Sequence, residues 1–251
     1  MRKKWLGMLL VMLGLAGLAS ASLVAQEDFS GCTAGQALES QGSGTGWSET
    51  WTAPSESKSA IVYDNSGNNI AIAGVDAAGD LHAFFYRTLS SSRSGTLYYS
   101  YKTLSTNTDS GEAVVNLGSG GDDGNRAEIS IFRGAYRIRM NGVSSDFGTY
   151  TANTEVTLVG KITYDGMGGA TMEAWVNPTG EETGEYSQTV TNSSIGFSSI
   201  DRVWLKTWNQ PGHSAFDNIK IGTSWSDVAV PEPATLSLLV IGGVTLLRRK
   251  R

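Results

Sequence analysis

Trp204 and Trp208, interleaved with Arg202 and Lys206, form the run of this sequence best suited to chemistry on a ligand. In a strand successive side chains point to opposite faces, so these four share one side and Val203, Leu205 and Thr207 the other. Indole faces stack on pyranose rings, and the flanking cations can bind hydroxyls or acidic sugars. Glu173 and Trp175 alternate in the same way with Met172, Ala174 and Val176, and are candidates to join the group. The competing reading places these tryptophans beneath neighbouring strands as core, where Trp is usually largely buried.

Other constellations are thinner. Asp122, Asp123 and Asn125 in a Gly-rich loop could offer hard oxygen ligands to Ca²⁺, which needs six to eight of them. An ordinary acidic hairpin loop is the better reading of the same residues, so no cofactor is expected. Glycoside cleavage needs two carboxyls roughly 5–9 Å apart. No strand carries an alternating acidic triplet: Glu173 has Thr171 and Trp175 as same-face neighbours, and Glu181, Glu182 and Glu185 fall in a Gly/Thr-rich turn. His82 and His213 are isolated, and the Gly118–Gly124 loop lacks the Lys-Ser/Thr of a phosphate loop. The expectation is a non-enzyme.

The elements that position these residues read as strands. Runs of β-branched and aromatic residues are predicted at Asn69–Ala73, Leu81–Arg87, Thr96–Lys102, Glu112–Leu117, Ala127–Phe132, Tyr136–Met140, Thr154–Tyr164, Ala170–Val176, Tyr186–Val190, Ser199–Thr207 and Ala215–Gly222. Gly, Asn, Asp and Ser clusters separate them, as at Asn65-Ser66-Gly67 and Asn141-Gly142. This spacing implies one all-β domain of two packed antiparallel sheets with no long helix between residues 27 and 229. Near the end, Phe216, Asn218 and Lys220 oppose Asp217, Ile219 and Ile221, which leaves the buried face of that strand open.

Glu27-Asp28-Phe29, Gly44-Thr45-Gly46-Trp47, Gly95-Thr96-Leu97-Tyr98-Tyr99, Glu173-Ala174-Trp175-Val176-Asn177-Pro178 and Phe216-Asp217-Asn218-Ile219 follow one another along the chain. In that order they resemble the concanavalin A-like jelly-roll superfamily, in its LamG-like form. The resemblance implies a two-sheet antiparallel jelly-roll sandwich and transfers fold better than function. Laminarinase-type relatives carry an E-x-D-x-x-E strand, which this sequence lacks.

The two ends carry signals of their own. Arg2-Lys3-Lys4, the apolar Trp5–Leu18 and Ala19-Ser20-Ala21 form a signal peptide for Sec export and signal peptidase. Cleavage is expected after Ala21, before Ser22, with Ala25 as the alternative. Cys32 lies too far downstream to be a lipoprotein cysteine. At the other end stand Pro231-Glu232-Pro233, an apolar Ala234–Leu247 stretch and Arg248-Arg249-Lys250-Arg251. The prolines favour extended backbone. The 14 apolar residues make about 21 Å of helix at ~1.5 Å per residue, a marginal membrane span. The four cations hold the end on the cytoplasmic side. This arrangement resembles the PEP-CTERM sorting signal, which implies an exosortase-type transpeptidase as partner and an inner-membrane-tethered intermediate on the way to the cell surface or extracellular matrix.

The expected division is therefore 1–21 signal peptide, 22–229 sandwich and 230–251 sorting signal with a short transmembrane helix. Of 19 Lys and Arg, seven lie in the two tails; of 24 Asp and Glu, only Glu232 does. The remaining 12 against 23 give the central domain about −11, which argues against nucleic acid as a partner. A single cysteine forms no internal disulfide, so the core must supply stability. The sequence reads as a surface protein that binds or organises extracellular polysaccharide or matrix; a purely structural envelope protein and a divergent carbohydrate-active hydrolase are the alternatives.

Overall fold

The computed structural model describes residues 22–54, 60–65, 68–73, 83–106, 112–120, 126–208 and 213–229, with backbone only at 60, 61, 65, 68, 69, 72, 73 and 208. Its strands are β1 (Leu23–Glu27), β2 (Ala60–Asn65), β3 (Asn68–Ala73), β4 (Ala83–Arg93), β5 (Thr96–Ser105), β6 (Glu112–Gly118) and β7 (Arg126–Phe132). They continue with β8 (Ala135–Met140), β9 (Val143–Phe147), β10 (Val156–Tyr164), β11 (Ala170–Val176), β12 (Tyr186–Asn192), β13 (Ile200–Trp208) and β14 (Ser214–Gly222). One four-residue helix, α1 (Trp225–Val228), follows.

Eight strands form one sheet in the order β12-β11-β10-β5-β14-β3-β2, with β1 also paired to β14; six form the other, in the order β4-β13-β6-β7-β8-β9. The ladders between them are all antiparallel. The inner faces meet in a continuous core that includes Met172, Ala174 and Val176 from β11 and Val203 and Leu205 from β13, as the alternation predicts.

Several expectations need correction. Strands β1, β2 and β9 were not among those predicted: β1 follows the export signal directly, and Val143-Ser144-Ser145-Asp146-Phe147 is too polar to read as a strand. Strand β4 runs six residues past Arg87: Thr88 and Arg93 pair with Arg202 and Ile200 of β13 across a register shift, and Leu89 between them bridges to Trp47. The ambiguity in β14 has a physical answer. Asn218 adopts a left-handed φ of 51°, and the pairing with β5 shifts register between Asp217 and Lys220. This bulge turns the strand over by one residue, so Phe216 before it and Ile219 and Ile221 after it are all buried.

A buried polar cluster stands at the end of β1. Glu27 at the end of β1 is fully buried and ion-paired with Arg87 of β4. It also accepts from the Phe29 N–H at 2.8 Å and from the Trp51 indole N–H at 3.2 Å. Gly44 and Gly46 let the following loop lie directly on β1. Both have positive φ, and a Cβ on either would stand 1.8 Å from the Gln26 carbonyl or 2.0 Å from that of Val24. Burial pushes the nearby Cys32 thiol up to about 11, with Glu27 adding to the shift, so it is a poor nucleophile.

Residues 1–21 and 230–251 lie outside the described residues, and with them the signal peptide, Pro231, Glu232, Pro233, the apolar stretch and the terminal cations. Among the described residues no helix is long and apolar enough to cross a membrane.

Candidate functional site

The outer face of the six-stranded sheet is assembled from the alternate residues of strands whose other face is core. Because Val203 and Leu205 point inward, Arg202, Trp204 and Lys206 point outward. The same alternation puts Phe84 and Tyr86 of β4, Glu112, Val114 and Asn116 of β6, Arg126, Glu128 and Ser130 of β7, and Arg137 and Arg139 of β8 on that side. Strand register then sets them in rows. Tyr86, Trp204, Asn116, Glu128 and Arg139 are consecutive partners across five strands. Beside that row run Phe84, Lys206, Val114, Ser130 and Arg137.

Cations and rings alternate at one side of this face. The Trp204 ring lies 4.8 Å from Tyr86 and 5.5 Å from Phe84. Arg202 sits over Tyr86 at 5.1 Å and Lys206 over Phe84 at 5.0 Å, both within cation–π range.

At the centre the polar groups are enclosed. Asn116 and Glu128 are 0 % exposed, Trp204 2 %, Lys206 4 % and Glu112 5 %. Arg139 brings two carboxylates together: its Nε lies 2.7 Å from Glu128 and its guanidinium 3.9 Å from Glu112. Arg126 approaches Glu128 from the other side at 3.2 Å, and Ser130 donates to Glu112 at 3.4 Å. Burial, reinforced by Glu112, pushes the Glu128 carboxyl up to about 7, against the pull of Arg139, Arg126 and Lys206. Both amide atoms of Asn116 and the Trp204 indole N–H have no hydrogen-bond partner.

No protein-family model matches the chain, and no curated protein matches it in sequence. Solved structures match its architecture. An endo-β-1,4-glucuronan lyase from the fungus Trichoderma reesei superposes with a TM-score of 0.53 at 12 % identity, over 82 % of this chain and 98 % of that one. The T. cruzi calreticulin globular domain gives 0.52 at 11 % identity, over 89 % and 95 %. A sialidase gives 0.55 at 14 % identity, over 82 % of this chain but 19 % of its own length. The fold is a jelly-roll sandwich. At these identities the likeness extends to fold alone, and it is consistent with the concanavalin A-like sandwich expected from the sequence.

Within the jelly roll, the residues expected to form one aromatic site are divided. Trp204, Arg202 and Lys206 lie on the outer face of the six-stranded sheet. Glu173 and Trp175 lie on the outer face of the other sheet, because Met172, Ala174 and Val176 point into the shared core. There Trp175 is sealed by α1, with Trp225 edge-on at 5.2 Å, and Glu173 pairs with Lys161 at 3.0 Å. Trp204 is no open stacking platform either, since its ring is enclosed between its neighbours. The side chain of Trp208 lies outside the described residues, as do Asp122, Asp123 and Asn125. Among the described residues no group of His, Cys, Asp and Glu is placed to hold a metal ion. Glu112 and Glu128 lie on different strands, so no single-strand pattern pairs them; they meet only where β6, β7 and β8 stand side by side and Arg139 reaches both. Their outward alternation with Ala113, Val115, Ala127 and Ile129 was the available signal.

Proposed function

We propose that this chain is an exported, exosortase-sorted surface protein whose sandwich binds extracellular polysaccharide through the outer face of the six-stranded sheet, without cleaving it. The observation that carries the binding reading is the row Tyr86-Trp204-Asn116-Glu128-Arg139, which combines rings, cations and unpartnered polar atoms on a rigid sheet. A glycan array probed with the full-length protein tests it. Binding lost in Trp204→Phe, without a matching fall in melting temperature, is the expected result; binding unchanged by that substitution would remove Trp204 from the site.

Two features support the sorting part of the reading. Val24 and Ala25 are buried in β1, so a cut after Ala21 leaves the strand whole, whereas a cut after Ala25 would delete three of its five residues. At the other end, the chain leaves the sandwich at a fixed point: Ser100 donates to the Val228 carbonyl at 2.8 Å, on the outer face of the eight-stranded sheet. A tail anchored there leaves the proposed glycan face on the opposite side, directed outward. Mass spectrometry of the surface form should find Ser22 first and no Arg251. Intact Arg251 on protein from wild-type cells would overturn the processing claim, and Ala at Pro231 and Pro233 should cause retention at the inner membrane.

A hydrolase is favoured by one observation, the convergence of Glu112 and Glu128 on Arg139 with Glu128 shifted toward neutrality. Two arginines already flank Glu128, which opposes proton donation, so binding remains the better reading. Release of reducing ends from a bound glycan, lost in both Glu112→Gln and Glu128→Gln, would establish the hydrolase instead.

A further inference from the structure

We infer that a groove on the outer face of the eight-stranded sheet receives the chain's own Pro231-Glu232-Pro233, with the Glu232 carboxylate against Lys220 and Lys102. This contact belongs to the uncut chain and stands whether or not an enzyme reads the motif.

Place is the first support. Register lays Gln26, Lys220, Ser100, Val159 and Trp175 in one row across β1, β14, β5, β10 and β11. The α1 region covers the Trp175 and Val159 end of that row, and its own end is tied to Ser100, which donates to the Val228 carbonyl at 2.8 Å. Next to this tie lies a groove of about 390 Å³, whose lining includes Ser100, Lys102, Thr157, Asn218, Lys220 and Ala229. Ala229 is the last described residue, so the chain leaves the sandwich at the groove's wall.

Charge is the second support. Lys102 and Lys220 are the charged side chains among the described lining residues. Lys220 ion-pairs with no described residue, and Lys102 only with the exposed Glu155, at 3.6 Å. Asp217, the cross-strand neighbour of Lys102, turns its carboxylate to the Asn218 N–H at 2.7 Å and side-chain amide at 3.1 Å. A second hollow of about 210 Å³ also reaches Ala229, but the exposed Glu181 lines it. Between Asp227 and Arg248 the chain's single charge is Glu232. Of the two ways out, the lysine-lined groove attracts that carboxylate and the other repels it.

Reach and ordering cost also fit. Glu232 stands three residues past Ala229, at most about 11 Å along an extended chain. The flanking prolines fix φ and carry no N–H, so a segment of this composition enters a groove at small ordering cost. Exposed ion pairs are weak by themselves. Tethering sets the effective concentration of Glu232 at the groove on the order of millimolar, which populates a contact that a free peptide would not hold. An enzyme that reads the motif must first draw it out of the groove.

The test is acetylation footprinting of the full-length protein in detergent, with the rate at each lysine followed by mass spectrometry. A carboxylate beside Lys220 favours its charged, unreactive form, so Lys220 should react about threefold or more slowly in wild type than in Glu232→Gln. Lys161, whose partners Glu173 and Glu182 belong to the sandwich, should react equally in both. Glu232 lies outside the sandwich, so its substitution leaves the fold intact. A carbodiimide should then join Glu232 to Lys220 or Lys102 within one molecule, with the Lys102–Glu155 pair as the control for the reaction. Equal Lys220 rates in the two proteins overturn the contact, and so does a Lys161 rate that moves in step with that of Lys220. Cross-links from Glu232 to neither lysine, while Lys102 and Glu155 are joined, remove the seat. Links formed only between isotopically light and heavy copies overturn the intramolecular assignment in favour of a second copy.

Discussion

The two outward faces of the sandwich are built from the same kind of alternating strand, yet they solve burial in opposite ways. On the eight-stranded sheet, Trp175 and Val159 are covered by Trp225, Val228 and Ala229 of the α1 region, a small apolar cap. Around it an ion-paired group has formed: Lys161 meets Glu182 at 2.7 Å and Glu173 at 3.0 Å, and Tyr98 donates to Glu182 at 3.1 Å. On the six-stranded sheet the enclosed groups are charged or amide-bearing, and Asn116 and Trp204 are left with polar atoms unmet. The first arrangement closes a surface with apolar packing; the second encloses polar groups and leaves some of their atoms without a partner. A tryptophan's presence in an outward strand position therefore does not distinguish binding from packing, whereas the partners of its indole and its neighbours do.

Substitutions that exchange these roles test the comparison. The largest effect is expected for Trp175→Ala, which should cost ~3–5 kcal/mol of stability in denaturant titration and leave glycan affinity of the folded fraction unchanged. A loss of binding at full foldedness would mean that the capped face also meets ligand. Next comes pH. The folded Glu128 carboxyl lies near 7, above its ordinary value of 4.5, so its contribution is fully present below about 4.5 and is lost as pH rises through about 7. Glu128→Gln cannot lose it. The variant should match wild type near pH 4.5 and gain relative stability toward pH 8; a flat difference across that range would show that the arginines hold Glu128 ionised.

Trp204→Phe should cost less, within about 1.5 kcal/mol, because the ring still packs beside Phe84 and Tyr86 while an unpartnered N–H is removed. A cost comparable to that of Trp175→Ala would make Trp204 core in function as well as in burial. The smallest effect is expected for Glu182→Gln. Its carboxyl is held below the usual range chiefly by the Lys161 hydrogen bond, so its stabilisation exists above the ordinary carboxylate range and fades as pH falls. Partly exposed pairs of this kind contribute under about 1 kcal/mol and are screened by salt. A double-mutant cycle with Lys161→Met at low and high salt measures it.

Much of the fold was legible because a strand's two faces are written every second residue. Met172, Ala174, Val176, Val203 and Leu205 could be assigned to the core from alternation alone. The reading stopped where a strand is polar, as at Val143–Phe147, or where a bulge changes the phase, as at Asn218. The site was less legible. Alternation put Trp204 and Trp175 each on an outward face, but nothing local says that those faces belong to different sheets.

What the sequence determined by itself was the class of architecture, the acid excess of the central domain and the facing of individual strands, because each depends on composition or on a period of two. The tertiary structure decided which strands pair and hence which outward residues meet. Strand β6 beside β7 joined Glu112 to Glu128 through Arg139, and β13 beside β6 placed Trp204 against Asn116. Helix α1, folded back on its sheet, turned Trp175 from a surface ring into a buried one. Pairing and folding back join residues far apart along the chain, and the free energy of such contacts exists only once the chain has closed the intervening loops.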